Sequence, residues 1–205
     1  MKIGTKSVLF GVHCWCIHPF MVWIAWIKLY GWTWSLPTIV SFFVHDLGYI
    51  GKPNMDGKEG ETHVELGAKI MFLLFDWGFN VVPIPNKGRY YSTKVYNSKW
   101  YAFTLYHSRF YSKNNDVQYS RLCVADKYAF CIYPKWLYIL LASLSGEIYE
   151  YMESVSIKYT DSGILGTTKN EWYETCYRFL YMWVANHCTS STPKELRITR
   201  DYIKY

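Results

Sequence analysis

Residues 36–48 read LPTIVSFFVHDLG, an apolar run that ends in two adjacent polar side chains. The apolar residues recur at helical spacing and predict a helix with one buried face. That face is made of Leu36, Ile39, Val40, Phe43 and Val44. Ser35 is a candidate cap at the start of the helix. His45 and Asp46 follow where this helix ends. Because neighbouring side chains on a helix point about 100° apart, only a helix end with adjusted geometry lets both reach one site, and Gly48 supplies that freedom.

The helices on either side of this segment each carry a histidine near their start. One is predicted over residues 17–30, with His18 on its first turn. Residues 48–60 are dense in glycine and other turn formers, which predicts a loop. A third helix is predicted over about 61–75, with His63 on its first turn.

The rest of the chain also reads as helical, apart from residues 76–96, which are irregular and have room for a short hairpin or an extended excursion. Further helices are expected over about 98–111 with His107, about 120–133 with Asp126, 136–152 and 172–188. The sequence therefore predicts an all-α fold. We expect one domain over residues 1–205, with a metal-site core at about 10–133 and helical additions over about 134–205 that complete it.

Composition narrows the class of protein. The formal net charge of +6 favours anionic partners, but no run of basic residues indicates sequence-specific DNA binding. The six cysteines lack a paired C-x-x-C spacing, so a reduced, cytoplasmic environment is expected. The apolar stretch 8–44 is interrupted by His13, His18, Lys28 and the turn at 31–37, which predicts core helices rather than a membrane span.

Six polar residues fall in or beside these apolar helices: His18, His45, Asp46, His63, His107 and Asp126. Buried carboxylates and imidazoles are costly without partners, so a shared cation is expected among them. Imidazole nitrogen with carboxylate oxygen suits iron, manganese, cobalt, nickel or zinc, and the lack of thiolate argues against a structural zinc site. His13 is the alternative to His18, since the two are five residues apart and would face different directions on a helix.

In order, these residues resemble the H…HD…H…H…D pattern of the HD-domain metal-dependent phosphohydrolases, over residues 18–126. The resemblance implies an HD-domain-like helical bundle. It implies a first metal set of His18, His45, Asp46 and Asp126, and a second set of His63, His107 and the shared Asp46. We expect two divalent ions, with magnesium as a further option, and a metal-bound hydroxide that attacks a small phosphorylated substrate such as a nucleotide.

Other residues are candidates for contacting the substrate or supporting the site. The expected catalytic residues are Asp46, Arg109, Lys127 and Lys52. Arg109 would clamp a phosphate in bidentate fashion, and Lys52 and Lys127 would add point charges. Arg109 and Lys127 would serve equally as structural ion-pair partners. The acidic residues around the loop, which could orient a water or a histidine, are Asp56, Glu59 and Glu61. His187 lies outside the pattern and is expected to be peripheral.

Two other functions stay open on the sequence. Some relatives with the same six ligands are di-iron oxygenases, and the ligand set does not separate an oxygenase from a hydrolase. The second of these functions is that of a non-catalytic interaction protein that retains the fold. A complete set of six metal-binding side chains in apolar helices argues against it, because a scaffold has no need to hold them.

Overall fold

The computed structural model describes residues 1–84, 89–96, 98–158 and 168–188 and is predominantly helical, which confirms the all-α prediction. The helices of the described residues are α1 Ile3–Phe10, α2 His18–Tyr30, α3 Leu36–Val44, α4 Val64–Phe75, α5 Lys99–Leu105, α6 Arg109–Asn114, α7 Arg121–Ile132, α8 Lys135–Ser145, α9 Glu147–Lys158 and α10 Lys169–His187. Short 3-10 turns occupy Leu47–Tyr49 and Gly60–His63. They border the loop that the sequence predicts.

One antiparallel hairpin stands between α4 and α5, in the segment that was expected to be irregular or to hold a hairpin. Its strands are β1 Trp77–Ile84 and β2 Arg89–Tyr96, paired from Trp77 opposite Tyr96 to Ile84 opposite Arg89. Residues 85–88 and 97 lie outside the described residues. The hairpin option is therefore the correct one.

Two predicted helices are each broken in the structure. The helix expected over 98–111 divides into α5 and α6, because Ser108 adopts an extended conformation and its side chain caps α6 by accepting from the backbone N–H groups of Phe110 and Tyr111. The helix expected over 136–152 divides into α8 and α9 at Gly146, whose φ of 88° is left-handed and ends α8. A further helix, α1, was not predicted.

The central core brings α2 against α7, with α3 and α10 completing it. Its fully or nearly fully buried side chains include Val22, Ala25, Leu29, Phe42, Leu122, Ala125, Ala129, Val184 and Ala185. The alanines of α7 let α2 approach closely. This packing sets the first residue of α2, His18, beside Asp126 in the middle of α7.

A second core lies among α8, α9 and α10. It is rich in aromatic residues and contains Val12, Tyr133, Tyr138, Leu141, Ala142, Ile148, Trp172 and Tyr173. Through Val12 it also holds the segment between α1 and α2. The expected one-domain organisation of residues 1–205 stays a prediction, because residues 159–167 and 189–205 lie outside the described residues.

The apolar N-terminal stretch is folded into three separate helices. The longest of them, α2, has 13 residues, and at about 1.5 Å per residue it falls well short of the roughly 30 Å hydrocarbon core of a bilayer. Among the described residues, no helix has the length and apolar character needed to cross a membrane.

Candidate metal centre

Five separate elements deliver the six residues of the predicted site. His18 is the first residue of α2, His45 and Asp46 follow α3, His63 ends the second 3-10 turn, His107 lies at the break between α5 and α6, and Asp126 is in α7. All six are buried, with exposed fractions between 1% and 8%. The structure therefore brings the whole predicted set together in the interior.

The helix end at His45 and Asp46 has the adjusted geometry that the sequence requires. His45 keeps helical dihedral angles, whereas Asp46 moves to φ −100° and ψ 0° and begins a 3-10 turn. Gly48 serves a different purpose from the conformational freedom expected of it. It does not adopt a left-handed conformation, but a Cβ atom there would come within 1.8 Å of the carbonyl oxygen of His63. Gly48 is needed because the turn that carries His63 passes directly against it.

The first ligand set is centred on Oδ2 of Asp46. This oxygen lies 3.1 Å from Nε2 of His18 and 3.1 Å from Nε2 of His45. Oδ1 of Asp126 lies 3.1 Å from Nε2 of His18 and 4.0 Å from Nε2 of His45. One ligand atom from each of these four residues lies within 4.8 Å of every other, a grouping compact enough to hold a metal ion.

The second set uses the other oxygen of the same carboxylate. Oδ1 of Asp46 lies 3.6 Å from Nε2 of His63 and 3.5 Å from Nε2 of His107, and the two imidazole nitrogens are 3.3 Å apart. These three residues form a second compact grouping. Asp46 therefore faces both sets, with one oxygen turned to each.

Backbone carbonyl groups orient three of the histidine rings. The Nδ1 atoms of His45, His63 and His107 lie 2.9, 2.7 and 2.5 Å from the carbonyl oxygens of Phe42, Gly60 and Thr104. A carbonyl oxygen only accepts, so each Nδ1 carries a hydrogen and donates it. In the neutral ring the lone pair then lies on Nε2, the atom that faces Asp46.

The polar atoms in the middle of the site lack the hydrogen bonds that burial demands. Nε2 of His18, Nε2 of His45 and Oδ2 of Asp46 are buried and make no aligned hydrogen bond, although they approach within 3.1 Å. The lone pairs of His63 and His107 likewise face each other at 3.3 Å. Converging lone pairs repel unless a cation lies among them, so this donor set of imidazole nitrogen and carboxylate oxygen fits divalent transition metals.

The site holds its two carboxylates ionised and the imidazoles of His45 and His63 neutral. Burial raises the pKa of Asp46, but His45, His107 and His18 outweigh it and hold that pKa well below the ordinary value. Burial also opposes ionisation of Asp126, and Lys127 and His18 overcome it. Burial lowers the pKa of His45, and it lowers that of His63 further. Both rings are therefore neutral, as metal ligands must be.

His18 is the exception among these rings. Burial lowers its pKa, but the adjacent carboxylates of Asp126 and Asp46 outweigh burial and raise the pKa to about 9. In the metal-free protein at neutral pH, a proton on His18 thus offsets part of the charge of the two carboxylates. A metal ion would replace that proton.

The predicted substrate-contacting residues lie in different surroundings. Nζ of Lys127 donates to Oδ2 of Asp126 at 2.7 Å, so Lys127 is an ion-pair partner of a candidate ligand. Lys52 donates to the hydroxyl of Thr62, next to His63. The guanidinium of Arg109 stacks over the ring of Trp183 on α10, at 5.8 Å from its centre. Their roles toward a substrate stay predictions.

The acidic residues around the loop make one local contact and two contacts to distant parts of the chain. Glu59 accepts from the side-chain amide of Asn54 at 2.7 Å. Glu61 accepts from the hydroxyl of Ser108 at 3.5 Å, next to His107. The backbone N–H of Asp56 donates to Glu150 at 2.9 Å. The side chain of Glu61 therefore contacts a residue that adjoins His107, and the backbone carbonyl of Glu59 accepts from the hydroxyl of Thr62, which adjoins His63.

Two neighbours of the site were missed or set aside in the sequence. The ring of Tyr49 stacks on His63, with centroids 3.9 Å apart and planes 8° from parallel. His13, considered only as an alternative to His18, also turns toward Asp46, with its Nε2 4.0 Å from Oδ2. Tyr49 lies three residues after Asp46, a spacing that could have indicated it, whereas the position of His13 depends on the turn between α1 and α2.

His187, expected to be peripheral, ends α10, where its ring stacks on Trp183 with centroids 4.1 Å apart. Its Nδ1 lies 2.7 Å from the carbonyl oxygen of Trp183. It belongs to neither compact grouping.

Comparison of the chain with protein-family models, with curated proteins and with solved structures finds no match.

Proposed function

We propose that this protein is a metal-dependent phosphohydrolase of the HD-domain kind, acting through two divalent ions on a small phosphomonoester or phosphodiester such as a nucleotide. The observation that carries the proposal is the shared carboxylate of Asp46, which turns Oδ2 to the first set and Oδ1 to the second. With two ions bound, the carboxylate of Asp46 would help to hold both, and paired metal ions stabilise the attacking and leaving oxygens of an in-line displacement at phosphorus.

The charge of the site favours an anionic substrate. Its ligands are four imidazoles and the two carboxylates of Asp46 and Asp126. Two divalent ions among them leave a net positive charge, to which Lys127 adds its own ammonium group. Phosphate esters are the common small-molecule anions that such a site would bind and polarise.

The chain's own residues prepare the site in three ways. Histidine rings fixed by carbonyl groups present Nε2 without any side-chain rearrangement. Burial of all six ligands limits the water that competes for them. Lys127 is paired with Asp126 but 30% exposed, and it would donate to a phosphoryl oxygen of the substrate. When bound, the two ions supply Lewis acidity that activates a water and neutralises the phosphoryl oxygens.

The proposal is tested by metal analysis and a hydrolysis screen on the same preparation. Protein purified without chelator should hold about two transition-metal ions per chain and should hydrolyse members of a panel of nucleotides, cyclic dinucleotides and simple phosphoesters. Asp46→Asn should lower both metal content and activity. The matched control is His187→Gln, which alters a histidine outside the site and should leave both unchanged.

Other outcomes separate the alternative functions. A coloured di-iron form that consumes oxygen without hydrolysing any phosphoester would indicate an oxygenase. Protein that holds no transition metal, and whose folding is unaffected by Asp46→Asn, would indicate a non-catalytic protein. Either outcome would overturn the proposed hydrolase.

A further inference from the structure

The helix α3 turns outward most of the apolar side chains that the sequence predicts to be buried. These residues are exposed or only half-buried: Leu36, Ile39, Val40, Phe43 and Val44. The side chains that α3 buries are instead Thr38, Ser41 and Phe42. The predicted buried face was therefore wrong, because Phe42 packs on Trp26 in the central core, at 5.6 Å between ring centroids, and this turns the other apolar residues of α3 outward.

Exposed apolar side chains of neighbouring segments continue this surface. Together with Leu36 they form what we call the aromatic face: Trp15, Phe20, Ile24, Trp32, Trp34 and Leu36. The ring of Phe43 joins two of them, with centroids 5.9 Å from Trp15 and 5.4 Å from Phe20. At the other end, Trp32 lies 6.0 Å from Trp23 and 5.4 Å from Trp34. Phe20 and Trp23 are neighbours on α2, so the rings form one continuous patch, a feature that marks interaction sites.

The charge around the aromatic face has one sign. Residues 1–45, which supply the whole face, contain no Asp or Glu, and they contain three lysines. One of these, Lys28, is exposed one turn after Ile24 on α2. The exposed guanidinium of Arg121 lies over the ring of Tyr30 at the end of the same helix, 5.3 Å from its centre. This charge favours an anionic partner and disfavours a symmetric second copy, which would bring like charges together.

The chemistry of the aromatic face matches the boundary between water and lipid. Three of its six residues are tryptophans, which favour this boundary because an apolar ring carries a polar N–H. An anionic bilayer offers an apolar zone directly beneath negative headgroups, and so it is complementary to exposed aromatic rings next to lysine. The helices that carry the face are too short to span a bilayer, so contact with lipid would be confined to the bilayer surface.

We propose that the aromatic face docks this protein on the surface of an anionic lipid bilayer. The tryptophans enter the headgroup region, and Lys28 and Arg121 contact lipid phosphates. Trp15 and Phe43 also line a small pocket whose other wall includes His18 and Asp46. The docked protein therefore holds its candidate metal centre beside the lipid. Docking needs no metal and does not depend on the proposed phosphohydrolase function.

The test is co-sedimentation of the full chain with lipid vesicles. Vesicles of phosphatidylcholine mixed with phosphatidylglycerol should bind the protein, and vesicles of phosphatidylcholine alone should bind it much less. Added salt should weaken binding to the mixed vesicles, because it screens the lysines from the headgroups. The double variant Trp32→Ser/Trp34→Ser should lower the partition constant by about tenfold or more, since it removes two exposed rings. Lys28→Glu should lower it by roughly tenfold.

Each variant has a matched control elsewhere on the surface. Trp136→Ser removes an equally exposed tryptophan from α8, beside the ion pair of Lys135 and Glu174. Lys113→Glu changes the net charge by the same amount as Lys28→Glu, on α6. Both controls should bind vesicles as the unaltered protein does. Circular dichroism checks that each variant folds, and Lys28→Glu, altered at an exposed side chain, keeps the test decisive if the double variant does not.

The contrary outcomes are distinct. Failure of the unaltered protein to bind anionic vesicles, or equal weakening by the controls, would overturn the proposed docking. Light scattering that shows a dimer in the unaltered protein and a monomer in the double variant would identify a second copy as the occupant of the face. Equal acrylamide quenching of tryptophan fluorescence in the unaltered protein and the double variant would show that another part of the chain covers it. Either result would also overturn docking on lipid, and none of these measurements depends on hydrolysis.

Discussion

The pKa of His18 leads to a prediction about the stability of the metal-free protein. Its folded-state value of about 9 lies above the ordinary 6.5 of the unfolded chain. Protonated His18 therefore stabilises the metal-free fold fully below about pH 6.5, and the contribution is lost as pH rises toward 9. With 1.36 kcal/mol for each pKa unit, the loss is about 3 kcal/mol. His45 and His63, whose pKa values are lowered, change their contributions only below pH 6.5.

The assay is urea unfolding of chelator-treated protein at several pH values between 6.5 and 9. The free energy of unfolding should fall by about 3 kcal/mol over this range, and His18→Gln should remove most of the fall because Gln does not titrate. A flat profile in the unaltered protein, or an equal slope in His18→Gln, would refute the reasoning.

Metal affinity should show the opposite trend, strengthening about tenfold per pH unit up to 9 as the competing proton is released.

Three further predictions concern metal content, packing and charge. Asp126→Asn removes a ligand from the first set alone, so metal content measured by mass spectrometry should fall from two ions to one; loss of both would show that the sets are not independent. Gly48→Ala places a methyl group against the carbonyl of His63. Urea titration should show a free energy of unfolding lower by about 1–3 kcal/mol, and an unchanged value would contradict this contact. Lys127→Met removes a positive charge beside Asp126, which relieves on the order of 1 kcal/mol of repulsion toward a metal ion. Competition titration should therefore show metal binding that is tighter by up to about tenfold. Weaker binding would show that Lys127 supports the ligand instead.

The six residues of the site could be identified from sequence because each is polar in an apolar helix. His45 and Asp46 after the run of residues 36–44 are the clearest example, since burial without partners would be too costly there. The break at Ser108 was also readable in principle, because serine before a helical stretch is a common cap.

Glu147 could not be predicted to be buried. The segment EIYEYMES at residues 147–154 carries three glutamates, which favours an exposed face at the end of the helix expected over 136–152. Its four donors are Ser7 of α1, Val12 of the turn after α1, Ser145 at the end of α8 and Tyr151 in the next turn of α9. Only the tertiary arrangement collects them around one carboxylate. The position of His13 has the same cause, and so neither residue stands out from local pattern.

The carbonyl groups that orient His45, His63 and His107 each lie three residues before the ring that they hold. Each ring direction is thus set within a single turn of chain and does not depend on the length of the segment joining one histidine to the next. The hairpin of β1 and β2 between His63 and His107 illustrates this independence. Over evolution the chain could lengthen or shorten between the histidines at little cost to the site, whereas inserting one residue inside any of these three-residue windows would turn a ring away from Asp46.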